Sequence, residues 1–209
     1  MCAAFHNTEK RKLPLVRGSV IRREYGNVIS KITLSVWIAE EGLVRVAYFP
    51  GAVAEDEPSY AVSPEYVAPG AEIREYDEPG IHVIETRLLR IRIRTEEQKV
   101  DFYDIVTDEP LLTDESGFGR ESKDWTGDCR VWIRKRLQET EHFFGLGDKP
   151  CALNLRGKYF SMWGADHYDF HEESDPLYKS IPFFLSLREG AFFARFRQYM
   201  PLLLRLRRD

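Results

Sequence analysis

The sequence predicts a mostly β protein built as an antiparallel β-sandwich, and three observations carry that expectation. Apolar residues recur with period two in run after run, which is the signature of half-buried strands. No stretch sustains a 3.6-residue period, so no amphipathic helix is expected. Turn-forming residues separate the runs at short intervals, as they do between sandwich strands.

Taken in order, residues 1–18 are basic and interrupted by proline, and read as a leader with a first edge strand. Residues 28–38 alternate, with Val28, Ser30, Ile32, Leu34, Val36 and Ile38 on one side and Ile29, Lys31, Thr33, Ser35 and Trp37 on the other, so the whole run reads as a strand. Glu40, Glu41 and Gly42 make a tight turn into a second run over 43–49, which predicts a hairpin. Residues 50–80 hold five of the eleven prolines and many acids, and read as a long irregular loop. In 81–94, Leu89, Ile91 and Ile93 alternate with Arg90, Arg92 and Arg94, a strand with a cationic outer face solvated beside acidic neighbours. Residues 98–104, 110–113 and 131–137 continue the series, and the domain is expected to span 19–193. No internal repeat or low-complexity tract is present.

Composition narrows the function. A formal net charge of −4 offers nothing to a polyanion, so neither nucleic acid nor an anionic membrane is expected as a partner. The start, MCAAFHNTEKRK, has no apolar core of a secretory signal, and no apolar run approaches the ~20 residues of a membrane span. Cys2, Cys129 and Cys151 are odd in number and scattered, which argues against a disulfide framework and for a reducing, cytoplasmic setting. Aromatics at 13% suit both sandwich cores and sugar-stacking surfaces.

The most informative stretch is 138–190. Glycine at 145 and 147 permits positive φ or a close backbone approach, and the segment reads as a strand end turning into a loop. Gly145-Leu146-Gly147 is not a dinucleotide fingerprint, because no third glycine follows; a tight turn that positions Asp148 and Lys149 is the expectation. A short strand starts at Arg156 and ends at Met162 and Trp163, and residues 181–187 form a buried-strand run. Between them, 165–178 is polar, acidic and aromatic at once, a make-up common in loops that a rigid scaffold holds out to a ligand. Asp166, His167, Asp169, His171, Glu172 and Glu173 have no spacing that sets a coordination geometry, so a solvated acidic loop is expected and no metal or other cofactor.

The order FFGLGDK, LNLRGKYFSMW, a D-x-Y loop at Asp166 and Tyr168, then DPLYKSIPFFL resembles the N-terminal β-sandwich of glycoside hydrolase family 31, which holds α-glucosidases and α-xylosidases. The family carries YGLGEK, a leucine-arginine-glycine strand, an NTD-x-Y loop and DPLYKSIPF in the same order, and weaker similarity reaches upstream to about Ile81. The resemblance implies a galactose mutarotase-like sandwich, incomplete in this chain, whose loop leans over the mouth of a following (β/α)₈ barrel. It also implies that the aspartate matching Asp166 hydrogen-bonds a sugar hydroxyl, a task suited to a carboxylate because it accepts strongly. Tyr168 or Trp163 would stack on a sugar face, although core packing is the expected use of Tyr168. Gly164 and Ala165 stand where many relatives have Asn-Thr.

A retaining glycosidase needs two carboxyls about 5–5.5 Å apart, and the resemblance places both on the barrel, which takes about 250 residues by itself. No catalytic residue is therefore expected here, and the chain alone is expected to be inactive. The expected function is the non-catalytic N-terminal domain of a retaining α-glycosidase, with an α-linked oligosaccharide or glycoside as partner through the parent enzyme and the missing barrel as the other partner. A stand-alone carbohydrate-binding sandwich is the alternative. A mutarotase-like epimerase ranks last, since it needs a histidine general acid with a carboxylate base and no local motif places that pair.

The tail, 194–209, turns cationic and leucine-rich. An amphipathic anchor would be broken at Pro201, and a terminal strand is a second reading. The third is favoured: back-translated with permitted codons and read one base later, 196–209 can give FDNTCRSFFDFGA, and the family resembles FDNTYRSFFDFG just after this strand. A shifted frame near Ala194 is expected, leaving the last ~15 residues non-native and frayed.

Overall fold

The computed structural model describes residues 17–50, 63, 65–122, 129–172, 174–187, 191–195 and 202–205. Every regular element among them is a β-strand, so no helix of the described residues is long and apolar enough to cross a membrane. The chain forms two compact units that divide between Lys135 and Arg136, inside the single domain expected over 19–193.

The first unit is a sandwich. Strands β1 (Arg17–Gly18), β2 (Ile21–Asn27), β3 (Ile32–Glu40) and β4 (Leu43–Pro50) come first, then β5 (Val67–Ala68), β6 (Arg74–Glu78), β7 (Ile81–Glu85), β8 (Leu89–Arg94), β9 (Lys99–Asp104), β10 (Pro110–Leu112), β11 (Asp114–Ser122) and β12 (Cys129–Lys135). One antiparallel sheet runs β2-β3-β4 and the other β10-β9-β8-β7-β6, while β11 and β12 pair as a ribbon and β1 lies parallel to β5. Leu34, Val36 and Ile38 of β3 meet Ile84, Leu89, Ile91, Ile93, Val100 and Phe102 of the facing sheet in one buried cluster. Each such side chain, fully buried, contributes about 1.5–3 kcal/mol of transfer free energy. The outer face of β3 is closed as well: Trp37 lies between the guanidinium groups of Arg22, 4.9 Å from the ring centre, and Arg45, 4.1 Å away.

The alternation over 89–94 predicts β8 well. Leu89, Ile91 and Ile93 are buried and the three arginines half-buried. Arg90 pairs with Glu85 at 2.8 Å and with Asp108, Arg94 reaches Asp101, and Arg92 lies over the Tyr103 ring. The hairpin turning at Glu41 and Gly42 is also present as β3 and β4, with Glu40 opposite Leu43.

The strand expected over 28–38 is shorter than the alternation implies. Asn27 takes the backbone NH groups of Ile29 and Ser30 on its side-chain oxygen, at 2.9 and 3.0 Å, and Lys31 closes the turn at φ 54°. Asn readily accepts from backbone NH groups two residues on, and that local bond defeats the period-two pattern. Val28 and Ile29 consequently stand 92% and 96% exposed. The loop expected over 50–80 contains β5 and β6; its residues 51–62 and 64 lie outside the described residues.

Polar groups close the sandwich at two places. On one edge, Arg23 of β2 grips Glu75 of β6 with two donors, one at 3.0 Å. Beside it, His82 sets Nδ1 2.8 Å from Asp77, with Nε2 3.4 Å from Glu75. At the β8–β9 turn, the buried Gln98 donates to the Ile32 carbonyl at 3.0 Å, and the Tyr48 hydroxyl donates to the Gln98 carbonyl. Asp101 and Asp114 are buried together: Asp101 accepts the Asp114 NH at 2.7 Å, and Asp114 accepts the Val100 NH at 2.8 Å and pairs with Lys135. Burial raises the Asp114 carboxyl above its usual value, against the pull of Lys135.

The second unit holds β13 (His142–Gly147), β14 (Tyr159–Met162), β15 (Ser180–Leu187), β16 (Ala191–Arg195) and β17 (Leu202–Arg205). One sheet runs β13-β15-β16, and β14 pairs with β17. Its core joins Phe143, Leu146, Leu155, Phe160, Met162 and Phe184, with Phe143 and Phe184 edge to face at 5.6 Å. Within 194–209, the stretch expected to be out of frame, the described residues are the end of β16 and the whole of β17, whose backbone pairs in register from Leu202 opposite Met162 to Arg205 opposite Tyr159.

Candidate functional site

The site is built upward from the Gly-Leu-Gly segment. The sequence reads it as a tight turn after a strand; in the structure the strand continues through it. Gly145, Leu146 and Gly147 have φ of 121°, 67° and 85°, and the pairing of β13 with β15 shifts register between Gly145 and Gly147. The pairing is therefore bulged here, with the extra residues, 181–183, on β15 opposite Leu146. Both glycines are required by space as well as by φ. A Cβ on Gly145 would stand 2.7 Å from the Phe183 carbonyl oxygen, and one on Gly147 would collide with that of Lys179. Leu146 accepts a left-handed conformation that costs about 1–2 kcal/mol and in exchange buries its side chain completely in the core.

The bulge delivers the next two residues. The Asp148 NH donates to the Lys179 carbonyl at 3.0 Å. The Lys149 side chain is only 2% exposed, and its ammonium pairs with Asp175, donates to the Ser161 carbonyl at 3.2 Å and lies 5.3 Å from the centre of the Phe160 ring. The other oxygen of Asp175 accepts the Ser161 NH. One ion pair thus ties β13, β14 and the segment before β15 together.

Above it the chain from Trp163 to Tyr178 is a closed hoop. Ala165 NH donates to the Leu177 carbonyl at 3.1 Å, and the Ser180 hydroxyl donates to the Trp163 carbonyl at 2.8 Å. The Tyr178 hydroxyl crosses the hoop to the His167 carbonyl, and Ser174 ties back to His171 through its NH and its hydroxyl, both at 3.0 Å. Asp166 is exposed on this hoop and makes no hydrogen bond or ion pair among the described residues, so it is not used to cap a turn. Tyr168 is fully exposed, which corrects the expectation that it packs in the core: it lies in a run of exposed residues, 166–172, away from the buried Ser174 and Leu177. Trp163, Phe170 and Tyr178 are exposed alongside it, at 58%, 55% and 47%.

The sequence itself finds a match. The sequence model of the glycosyl hydrolase 31 N-terminal galactose mutarotase-like domain covers residues 33–198. The chain belongs to this family. The domain is 32% identical over 159 residues to an α-glucosidase 2 of Bacillus thermoamyloliquefaciens, covering 72% of this chain and 18% of that enzyme. It is 38% identical over 61 residues to an α-glucosidase of Saccharolobus solfataricus, covering 29% of this chain and 9% of that protein. The domain thus spans less than a fifth of the length of these relatives. Among solved structures it is similar to a Flavobacterium johnsoniae family 31 dextranase complexed with isomaltotriose, at TM-score 0.66 and 27% identity over 83% of this chain and 21% of that one. The fold is also that of a Xanthomonas citri family 31 α-xylosidase, at TM-score 0.62 and 17% identity, over 82% of this chain and 18% of that one.

Sequence reasoning quoted both GLGDK and DPLYK but missed that Lys149 and Asp175 meet. The signal was present as a lysine and an aspartate inside two apolar, glycine- or proline-marked motifs, where an unpaired charge would be costly. Sequence reasoning also found no histidine–carboxylate pair, whereas the structure sets His82 between Asp77 and Glu75. Glu75 is already held by Arg23, which keeps its carboxyl below the usual range.

Proposed function

We propose that this domain is the non-catalytic N-terminal part of a retaining α-glycosidase, that it supports the catalytic barrel, and that its hoop contributes Asp166 to the rim of the sugar site. The observation that carries the reading is the hoop itself. A carboxylate with no partner among the described residues stands on a loop braced at its base, beside exposed aromatic rings. Such a carboxylate can accept hydrogen bonds from two sugar hydroxyls. Ile181 and Leu187, apolar and exposed on β15, support a scaffold role, since exposed apolar surface marks interaction faces.

The test is a chimera in which this chain replaces the matching residues of the Bacillus thermoamyloliquefaciens α-glucosidase. A lost charge-assisted hydrogen bond is worth about 1.5–3 kcal/mol, so Asp166→Ala should lower kcat/KM by about 10- to 100-fold. Unchanged kcat/KM in a folded chimera would remove Asp166 from the sugar site.

A second reading, a stand-alone carbohydrate-binding sandwich, is favoured by the exposure of Trp163 and Tyr168, because flat rings stack on sugar faces. Saturable millimolar binding of isomaltose by the chain alone, weakened by Trp163→Ala and Tyr168→Ala, would establish it. The epimerase reading gains little from His82, because both ring nitrogens already face carboxylates, one of which is shared with Arg23.

A further inference from the structure

We propose that Lys149 and Asp175 are positioning residues for the 163–178 hoop, and that the Gly145–Gly147 bulge exists to aim Lys149 beneath it. The inference deepens the sugar-rim reading and rests on it for its functional meaning.

Three observations converge. First, the ion pair sits at the base of the hoop and not on its surface. The Lys149 side chain is 2% exposed and that of Asp175 17%, and Asp175 lies three residues before Tyr178, which closes the hoop onto His167. Second, both partners are otherwise satisfied from a single residue: Lys149 donates to the Ser161 carbonyl and Asp175 accepts the Ser161 NH, so the pair holds both backbone groups of Ser161 in β14, two residues before Trp163 begins the hoop. Third, the backbone that places Lys149 is strained at Leu146 and tolerates no Cβ at Gly145 or Gly147. Strain of this kind persists only where surrounding structure over-determines it. A straight strand would alternate its side chains regularly; three successive positive-φ residues, 145–147, break that alternation just before Lys149. A buried ion pair is a poor way to gain stability, because desolvation offsets most of its attraction, but its directional bonds hold geometry.

The test compares local with global opening in the full chain. Chymotrypsin cleavage is followed by mass spectrometry at Tyr168 and Phe170 in the hoop and at Phe143 and Phe184 in the core. The variants are Lys149→Met, Asp175→Asn and the double substitution. The double variant leaves no buried charge unpaired and keeps an acceptor for the Ser161 NH, so it remains informative if a single variant fails to fold. The expected result is at least tenfold faster cleavage at Tyr168 and Phe170, with core cleavage unchanged. Cleavage that rises in parallel at all four sites means a merely structural pair and overturns the proposal, as does unchanged hoop cleavage. In the chimera described above, the double variant should raise KM while largely preserving kcat. If the hoop loosens yet KM holds, the pair positions the hoop but the sugar-rim reading is wrong; if Asp166→Ala lowers kcat/KM while the hoop does not loosen, the reverse is true.

Discussion

The two units place the cations of their ion pairs differently. In the first, the cations stay at the rim of the apolar sandwich: Arg90 with Glu85 and Asp108, Arg23 with Glu75, Arg94 with the buried Asp101, and Lys135 with the buried Asp114, each cation 18–40% exposed. In the second, one lysine is buried to 2% and meets its aspartate under a loop. A rim pair operates in high dielectric and contributes little, whereas a buried pair is costly to break from one side because the remaining charge has no solvent. The difference separates a region that keeps its paired cations at the surface from one that buries a lysine.

That contrast is broken most directly at Lys149. Replacement by alanine should cost about 3–5 kcal/mol, read as a fall in the urea midpoint, and a loss under 1 kcal/mol would erase the distinction. A smaller effect is expected at acid pH. Arg23 lowers the Glu75 carboxyl below its ordinary 4.5, so the native state binds fewer protons than the unfolded chain near that value. This contribution is full above about pH 4.5 and is lost as pH falls through the lowered native value. Arg23→Gln should therefore flatten the acid side of the stability profile, measured by thermal melts between pH 3 and 6. The Asp114 carboxyl has the opposite sign: its raised native value gives a contribution present below 3.8 that disappears as pH rises. A profile in Arg23→Gln identical to the parent would assign the acid loss elsewhere. The smallest effect belongs to Arg90→Ala, within about 1 kcal/mol; a loss rivalling that of Lys149→Ala would mean that the rim, too, is structural.

The sandwich was legible because its signal is local. In Leu89, Ile91 and Ile93 the period of the sequence is the period of the strand, and one face must be buried. The same rule overreached at Val28 and Ile29, where a single Asn27 side chain captures the backbone and outweighs four residues of alternation. Gly145 and Gly147 announced unusual backbone, but not whether a turn or a bulge would result, because that depends on the partner strand β15. The hoop was partly legible: its composition marked it, and the motif order around Asp166 matched a family. The exposure of Tyr168 was not legible, since an aromatic ring serves a core and a sugar surface equally well.

By itself the sequence determined the all-strand character of the described residues, the hairpin at Glu41 and Gly42, the inward row of β8 and the family, since each is written in neighbouring residues. Tertiary structure alone decided that Lys149 meets Asp175 across 26 positions, and that Arg23 reaches Glu75 across 52. Such pairings depend on where distant strands come to lie, and no local periodicity encodes that distance.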